Sequence, residues 1–238
     1  MPDGKLGVMR VGVCQTPEIL GDVPRALGIV REFAEQADGV DLLVFPECFL
    51  QGYTVTAEHV KQFARPADLR LDLRPAIVLG MIERRGDRFY NTAAVVRGGR
   101  TVGAYRKTFL TPGEHVFTAG TDYPTFACAG VRFGINICFD AQYPHAAAAV
   151  AAQNATLLVH PAQNMMRRDN AYRWQDRHNE LRRKRVRETG LWMASADVTG
   201  ERGHTHLGLG PTCIINPAGE VVAEVPRGTV GLAVHDIT

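Results

Sequence analysis

The chain predicts an α/β fold in which a mixed β-sheet is covered by helices, with two sheets packed together as the alternative arrangement. Three observations lead there. Strand-type and helix-type segments alternate along the sequence. Hairpin-like junctions occur beside helix crossovers. No Pro/Ser-rich linker and no internal repeat divides the 238 residues, which therefore read as a single domain over 1–238.

In order, Val8–Cys14 reads as a strand and Asp22–Ala37 as a helix, with Asp22 as N-cap and Pro24 in the first turn. Asp41–Phe45 (DLLVF) is a short continuous apolar run, the pattern of a strand buried on both faces. Thr54–Arg74 is weakly patterned and is expected to be a loop with a short helix. Ala76–Glu83, Tyr90–Arg97 and Thr101–Arg106 are strands joined by the turn-like RRGDR and GGR. Tyr123–Ala127 and Val131–Ile137 form a hairpin across CAG. Pro144–Asn154 is an alanine-rich helix, Thr156–His160 a strand and Asn170–Thr189 a long charged helix. Leu191–Val198, Pro211–Asn216, Glu220–Val225 and Val230–His235 complete the strands, the middle pair turning at Pro217–Glu220.

Composition excludes several classes. Hydrophobic residues make up 45% and charged residues 22%, which is ordinary for a folded globular chain and excludes disorder over most of it. The net charge is +2, from 27 basic and 25 acidic residues, so no global field for polyanions is expected. The run Arg182–Arg187 (RRKRVR) lies on the long helix between Glu180 and Glu188 and is expected to be a solvated or intersubunit face, not a nucleic-acid site. Five scattered cysteines without a CxxC pair predict reduced thiols and a cytoplasmic setting. No apolar run approaches the roughly 20 residues of a membrane span, and the start of the chain does not read as a signal peptide. His204 and His206 lack a third ligand, so no metal site is expected.

Three strand-like runs end in a reactive side chain: LLVFPE at Glu47, TVGAYRK at Lys107 and VRFGINIC at Cys138. Where strands run parallel, their C-terminal ends share a crevice, so a carboxylate, an ammonium and a thiol can converge. Such a set suits acyl transfer from an amide or nitrile. The carboxylate takes the thiol proton and later delivers it to a departing amine, while the ammonium stabilises the thiolate and then the oxyanion. Each residue alone has a plainer reading: an inert core thiol, a loop cap, a solvated turn lysine.

The segments VGVCQTP, DLLVFPECFLQGY, YNTAAVV, GAYRKTFLTPGEHVFTAG, FGINICFDAQYP and GPTCIINPAGEVVAE occur in this order over nearly the whole chain. Together they resemble the carbon–nitrogen hydrolase (nitrilase) superfamily. The resemblance implies a four-layer α-β-β-α sandwich of two mixed β-sheets flanked by helices. It implies Glu47 as general base and acid, Lys107 as electrostatic stabiliser, Cys138 as nucleophile and Glu114 as a second glutamate beside the lysine. It places the oxyanion hole at Lys107 and the Phe139 backbone N–H, and a thioester intermediate on Cys138. No cofactor is implied.

Asp140, two positions after Cys138, resembles the amide-cleaving branches, where nitrilases proper carry Trp-Glu. An amidase or carbamoylase acting on a small linear amide or N-carbamoyl compound is therefore expected. Nitrile hydrolysis, amide-forming acyl transfer and a non-catalytic binding role are the alternatives on the same residues. The chain departs from the family pattern at Pro144-His145, at His160 and in a shortened stretch between Tyr53 and Ala76. Position makes Tyr53, Phe139, Asp140, His160, Gln163 and Asn164 the candidates for substrate binding. The family fold commonly pairs through helices, so a homodimer or larger homo-oligomer is expected.

Overall fold

A computed structural model describes residues 8–238. The strands, in chain order, are β1 (Met9–Pro17), β2 (Leu42–Val44), β3 (Arg70–Leu71), β4 (Ala76–Arg85), β5 (Arg88–Arg97), β6 (Gly99–Arg106), β7 (Thr125–Cys128), β8 (Val131–Ile135), β9 (Leu157–Pro161), β10 (Met166–Arg167), β11 (Trp192–Ala196), β12 (Val198–Arg202), β13 (His206–Leu209), β14 (Cys213–Ile215), β15 (Val221–Glu224) and β16 (Gly231–Ile237). The helices are α1 (Val23–Gln36), α2 (Ala57–Phe63), α3 (Pro144–Ala151), α4 (Arg168–Trp174) and α5 (Arg177–Thr189).

Ten strands form one mixed sheet in the order β10-β13-β12-β1-β2-β4-β5-β6-β3, with β16 antiparallel to β1. Six form the other, β15-β14-β11-β9-β8-β7. Alternation along the strands explains the layering. Val11, Val13, Leu42, Val44 and Val78 of the first sheet meet Phe133, Ile135, Leu157, Val159, Ala194 and Ile214 of the second in a shared core. The intervening Leu43, Ile77 and Leu79 turn the other way and pack on Ala26, Val30, Phe33 and Ala34 of α1. Leu158, Met193, Cys213 and Ile215 likewise pack on Ala147 and Val150 of α3 and Val186 of α5. A sheet with both faces apolar must be covered on both, and the result is the expected α-β-β-α sandwich.

Local signals act as expected at α1, where the Asp22 side chain accepts from the Arg25 amide at 3.1 Å, a cap worth about 1 kcal/mol. The stretch 54–74 holds α2, capped by Thr56, and the short β3. Two features differ from expectation. The long helix is interrupted at Gln175–Asp176, where Asp176 pairs with Arg227 at 2.6 Å. The segment around His204 is the turn of a hairpin, β12–β13, which adds two strands to the first sheet.

Parallel pairing fixes where the reactive side chains lie. β1, β2 and β4 are mutually parallel, and two antiparallel steps through β5 return β6 to the same direction. In the second sheet β8, β9 and β11 are parallel. The C-terminal ends of β2, β6, β8 and β9 therefore open on one edge of the sandwich, where a cavity of about 330 Å3 is lined by Glu47, Lys107, Cys138 and His160.

Candidate active site

Glu47 lies three residues beyond β2, on a turn threaded between the two sheets. Its amide donates to the Ala162 carbonyl beyond β9 at 3.2 Å, and the turn continues through Cys48 at φ +47°. The turn rests on Gly80 of β4. A Cβ there would stand 2.1 Å from the Pro46 carbonyl oxygen and 2.7 Å from the Glu47 Cα, so only glycine lets the backbones approach.

Lys107 follows β6 directly and is almost wholly buried. Its Nζ donates to Glu47 Oε1 at 2.7 Å and lies 2.9 Å from Glu114 Oε2. Asn91 of β5 completes the cluster, its Nδ2 donating to Glu47 Oε1 at 2.7 Å and to Glu114 Oε1 at 2.8 Å. Glu114 is further fixed by the Thr111 amide at 2.8 Å. Asn91 was not among the sequence candidates. The YNTAAVV segment displays it, yet a polar residue inside a strand carries no chemical signature until its partners are known.

Cys138 opens a short 3-10 turn over Cys138–Gln142 and has φ +43°, a left-handed conformation that a non-glycine residue rarely adopts. The turn is braced by Asp140. Its Oδ2 accepts from the Ile137 amide and the Tyr105 hydroxyl, both at 2.8 Å, and its Oδ1 accepts from the Phe109 amide at 2.8 Å and the Thr108 hydroxyl at 3.1 Å. Asp140 thus ties the Cys138 turn of one sheet to the Lys107 segment of the other. Expected among the substrate contacts, it instead lies outside the cavity wall with its carboxylate engaged by protein donors.

The remaining candidates, Tyr53, Phe139, His160, Gln163 and Asn164, do line the cavity. The Gln163 side chain is held by Glu18, which also takes Arg202 Nε at 2.7 Å. Asn164 is held by Asp197, whose Oδ1 accepts its amide at 2.9 Å. Opposite stand Met165, Met166, Trp174, His178, Leu181 and Arg182. Arg182 and Arg185 correct the expectation of a solvated arginine face, since each is only 2% exposed. Arg182 turns inward, donating to the Pro211 carbonyl at 2.6 Å and pairing with Asp197 at 3.4 Å.

The electrostatics favour a proton that moves over a standing thiolate. Burial raises the Glu47 carboxyl to about 7; Lys107 opposes the rise and Glu114 adds to it. Burial also pushes the Cys138 thiol well above its usual value, with Glu47 adding and Lys107 opposing. Burial works against the Lys107 ammonium, but Glu47, Cys138 and Glu114 outweigh it and hold the lysine protonated. Burial alone would raise Glu114, yet Lys107 and the Thr111 amide bring it below the ordinary value. One Glu47 oxygen, Oε2, takes no hydrogen bond from any of the described residues and is not sealed from the cavity. The site therefore offers a thiol, a free carboxylate oxygen poised near neutrality and a fixed ammonium, the components of thiol-dependent acyl transfer.

That class is matched by kinship. The sequence profile of the carbon-nitrogen hydrolase family matches residues 10–238, and the chain belongs to this family. An (R)-stereoselective amidase from Pseudomonas sp is 29% identical over 237 residues, covering 93% of this chain and 82% of the relative. A nitrilase from Pyrococcus abyssi is 29% identical over 243 residues, covering 94% and 88%. Among solved structures, a variant of the amidase from Nesterenkonia sp. AN1 superposes with a TM-score of 0.80 at 25% identity, over 98% of this chain and 91% of that one. That structure shows the acetamide moiety of fluoroacetamide added covalently at the active site cysteine.

Proposed function

We propose that the protein is a cysteine-dependent hydrolase of small linear amides or N-carbamoyl compounds, with Cys138 as nucleophile. The carrying observation is the unengaged Glu47 Oε2 on the same cavity as Cys138, with Lys107 clamped against the other Glu47 oxygen. As Cys138 Sγ attacks the amide carbon, its proton passes to Glu47. The oxyanion forms against Lys107 Nζ and the Phe139 amide, which lies in the first turn of the 3-10 segment, where backbone N–H groups lack intrahelical partners. Collapse expels the nitrogen as ammonia or amine with the Glu47 proton and leaves a thioester. Water then adds to the thioester, giving a proton to Glu47. The acid departs as the proton returns to the thiol, which restores both groups. Glu114 and Asn91 act on Glu47 and Lys107 as positioning residues. No step calls for a metal or organic cofactor.

The test is ammonia release from a panel of small amides, carbamoyl amines and nitriles. Wild type should release ammonia from amides or carbamoyl compounds, and Cys138→Ala should lose on the order of 10^4-fold or more with an unchanged fold by circular dichroism. Full activity in that variant would refute the assignment, and turnover of nitriles alone would move the protein to the nitrilase reading. We further read the chain as one domain working in the cytoplasm as a homodimer or larger assembly. Its unpaired cysteines are compatible with a reducing compartment. None of its described helices is long and apolar enough to cross a membrane. A monomer mass by light scattering would contradict the assembly.

A further inference from the structure

We infer that His160 is a specificity residue, a fixed hydrogen-bond acceptor that selects uncharged amides carrying an N–H or O–H donor elsewhere in the molecule. The inference rests on the amidase reading above and narrows its substrate class.

The ring has one available state. His160 sits at the end of β9, in register with Ser195 of β11, whose hydroxyl donates to the His160 carbonyl at 3.0 Å. Its Nδ1 lies 3.1 Å from the Asn136 carbonyl, two residues before the nucleophile. A carbonyl only accepts, so Nδ1 must carry the proton and Nε2 must present its lone pair. Burial keeps the imidazole neutral, with the Arg182 and Lys107 charges acting in the same direction.

The lone pair has nowhere else to go. The residue is 2% exposed, Nε2 has no partner among the described residues, and it is not sealed from contact. Its exposure is to the cavity it lines. A buried acceptor without a donor is costly, whereas a ligand donor placed against it satisfies the group.

The surroundings set the rest of the class. Met165, Met166, Trp174 and Leu181 supply an apolar wall. Three carboxylates, Glu47, Glu114 and Asp197, stand against two cations, Lys107 and Arg182. His178 is held neutral as well, its pKa brought down to about 3 by burial and by Arg182. An anionic substrate finds no uncompensated positive charge, while a neutral one with an apolar body and a single donor meets a partner for each part.

Matched substrates test this. Glycolamide, 3-hydroxypropanamide and 4-hydroxybutanamide are compared with the alkyl amides of equal chain length. Methylurea is compared with propionamide, 3-methoxypropanamide serves as a polar control without a donor, and succinamate as the anionic one. In wild type, one or more donor-bearing members should exceed its alkyl partner in kcat/KM by roughly 10- to 100-fold, with the difference largely in KM. The methoxy and anionic compounds should show no such gain. In His160→Phe, which keeps a ring and removes the acceptor, the ratio should collapse to near one. In Cys138→Ala labelled with 15N-histidine, the His160 Nε2 resonance should move on addition of the preferred amide and stay in place with its alkyl isostere. That measurement decides the matter if the phenylalanine variant does not fold. Ammonia release without donor preference, an unchanged ratio in His160→Phe, or a silent Nε2 resonance would overturn the inference and leave the amidase reading standing. Absence of Cys138-dependent ammonia from every compound would overturn that reading instead.

Discussion

Two buried ion clusters lie at the same edge of the sandwich, and they differ in what their carboxylates have left to give. Asp197 is closed. Its Oδ1 accepts from the Asn164 and Val198 amides, both at 2.9 Å, and its Oδ2 accepts from the Asn164 side chain and from Arg182. Glu47 is open. Oε1 takes Lys107 and Asn91, and Oε2 faces the cavity with no donor among the described residues. Both clusters carry a burial cost, since charges removed from water must be compensated by partners. Where every lone pair is answered, the cluster can only hold structure together. Where one is left unanswered beside a thiol, the same kind of cluster can move a proton.

The largest expected effect breaks the open cluster at its free oxygen. Glu47→Gln retains an acceptor for Lys107 and Asn91 and replaces the cavity-facing oxygen with an amide that cannot take a proton. Turnover should fall on the order of 10^3-fold in steady-state amide hydrolysis. Lys107 keeps Glu114 as counter-charge, so the melting temperature should move by only a few degrees, about 1 kcal/mol or less. A large loss of stability with modest loss of activity would mean that Glu47 belongs with the closed kind.

Asp197→Asn makes the complementary break. The amide nitrogen would face donors from Arg182 and Asn164, and a buried guanidinium would lose its counter-charge. Breaking a buried pair in this way costs about 3–5 kcal/mol, and at this chain length the melting temperature should fall on the order of 10 °C. Rates per folded molecule, measured well below the new transition, should stay within about tenfold of wild type, the loss arising from a looser Asn164 loop. A 10^3-fold fall in rate at full stability would place Asp197 in the chemistry.

The sequence exposes these two clusters unequally. Glu47, Lys107 and Cys138 each end a strand-like run, and strand direction alone predicts that such ends meet, so the open cluster is readable before any coordinates. The layering is readable too, because β2, β4 and β9 carry apolar residues on both faces. Asn91 escapes because its significance lies in two partners, 44 and 23 residues away, which no local pattern encodes. Arg182 is misread for the same reason. On a helix with eight charged residues among its thirteen, an arginine looks solvated, and only the distant Asp197 and Pro211 show that one of them points inward. Asp140 stands between these cases. Its place two residues after Cys138 is obvious from the chain, but its four donors come from both sheets, and they turn a supposed substrate contact into a brace.

A smaller effect separates the two clusters most sharply, because it opposes activity to stability within one group. In its proposed role as base Glu47 must be ionised to accept the thiol proton, and its carboxyl is raised by burial from 4.5 to about 7. The free enzyme should therefore show kcat/KM rising with pH, about tenfold per unit below that value and levelling above it. The folded state binds this proton more tightly than the unfolded chain does. The group's stabilising contribution is thus fully present below the unfolded value, and it is lost as pH rises through about 7. Rate and stability should run in opposite directions across the same interval. The comparison is the melting temperature of wild type against Glu47→Gln from pH 5 to 8. Their difference should drift against wild type as pH rises, while Asp197→Asn, which keeps Glu47, should retain the wild-type limb in its rate profile. A kcat/KM profile flat from pH 5 to 8 would remove Glu47 from the role of base and leave its free oxygen without a chemical purpose.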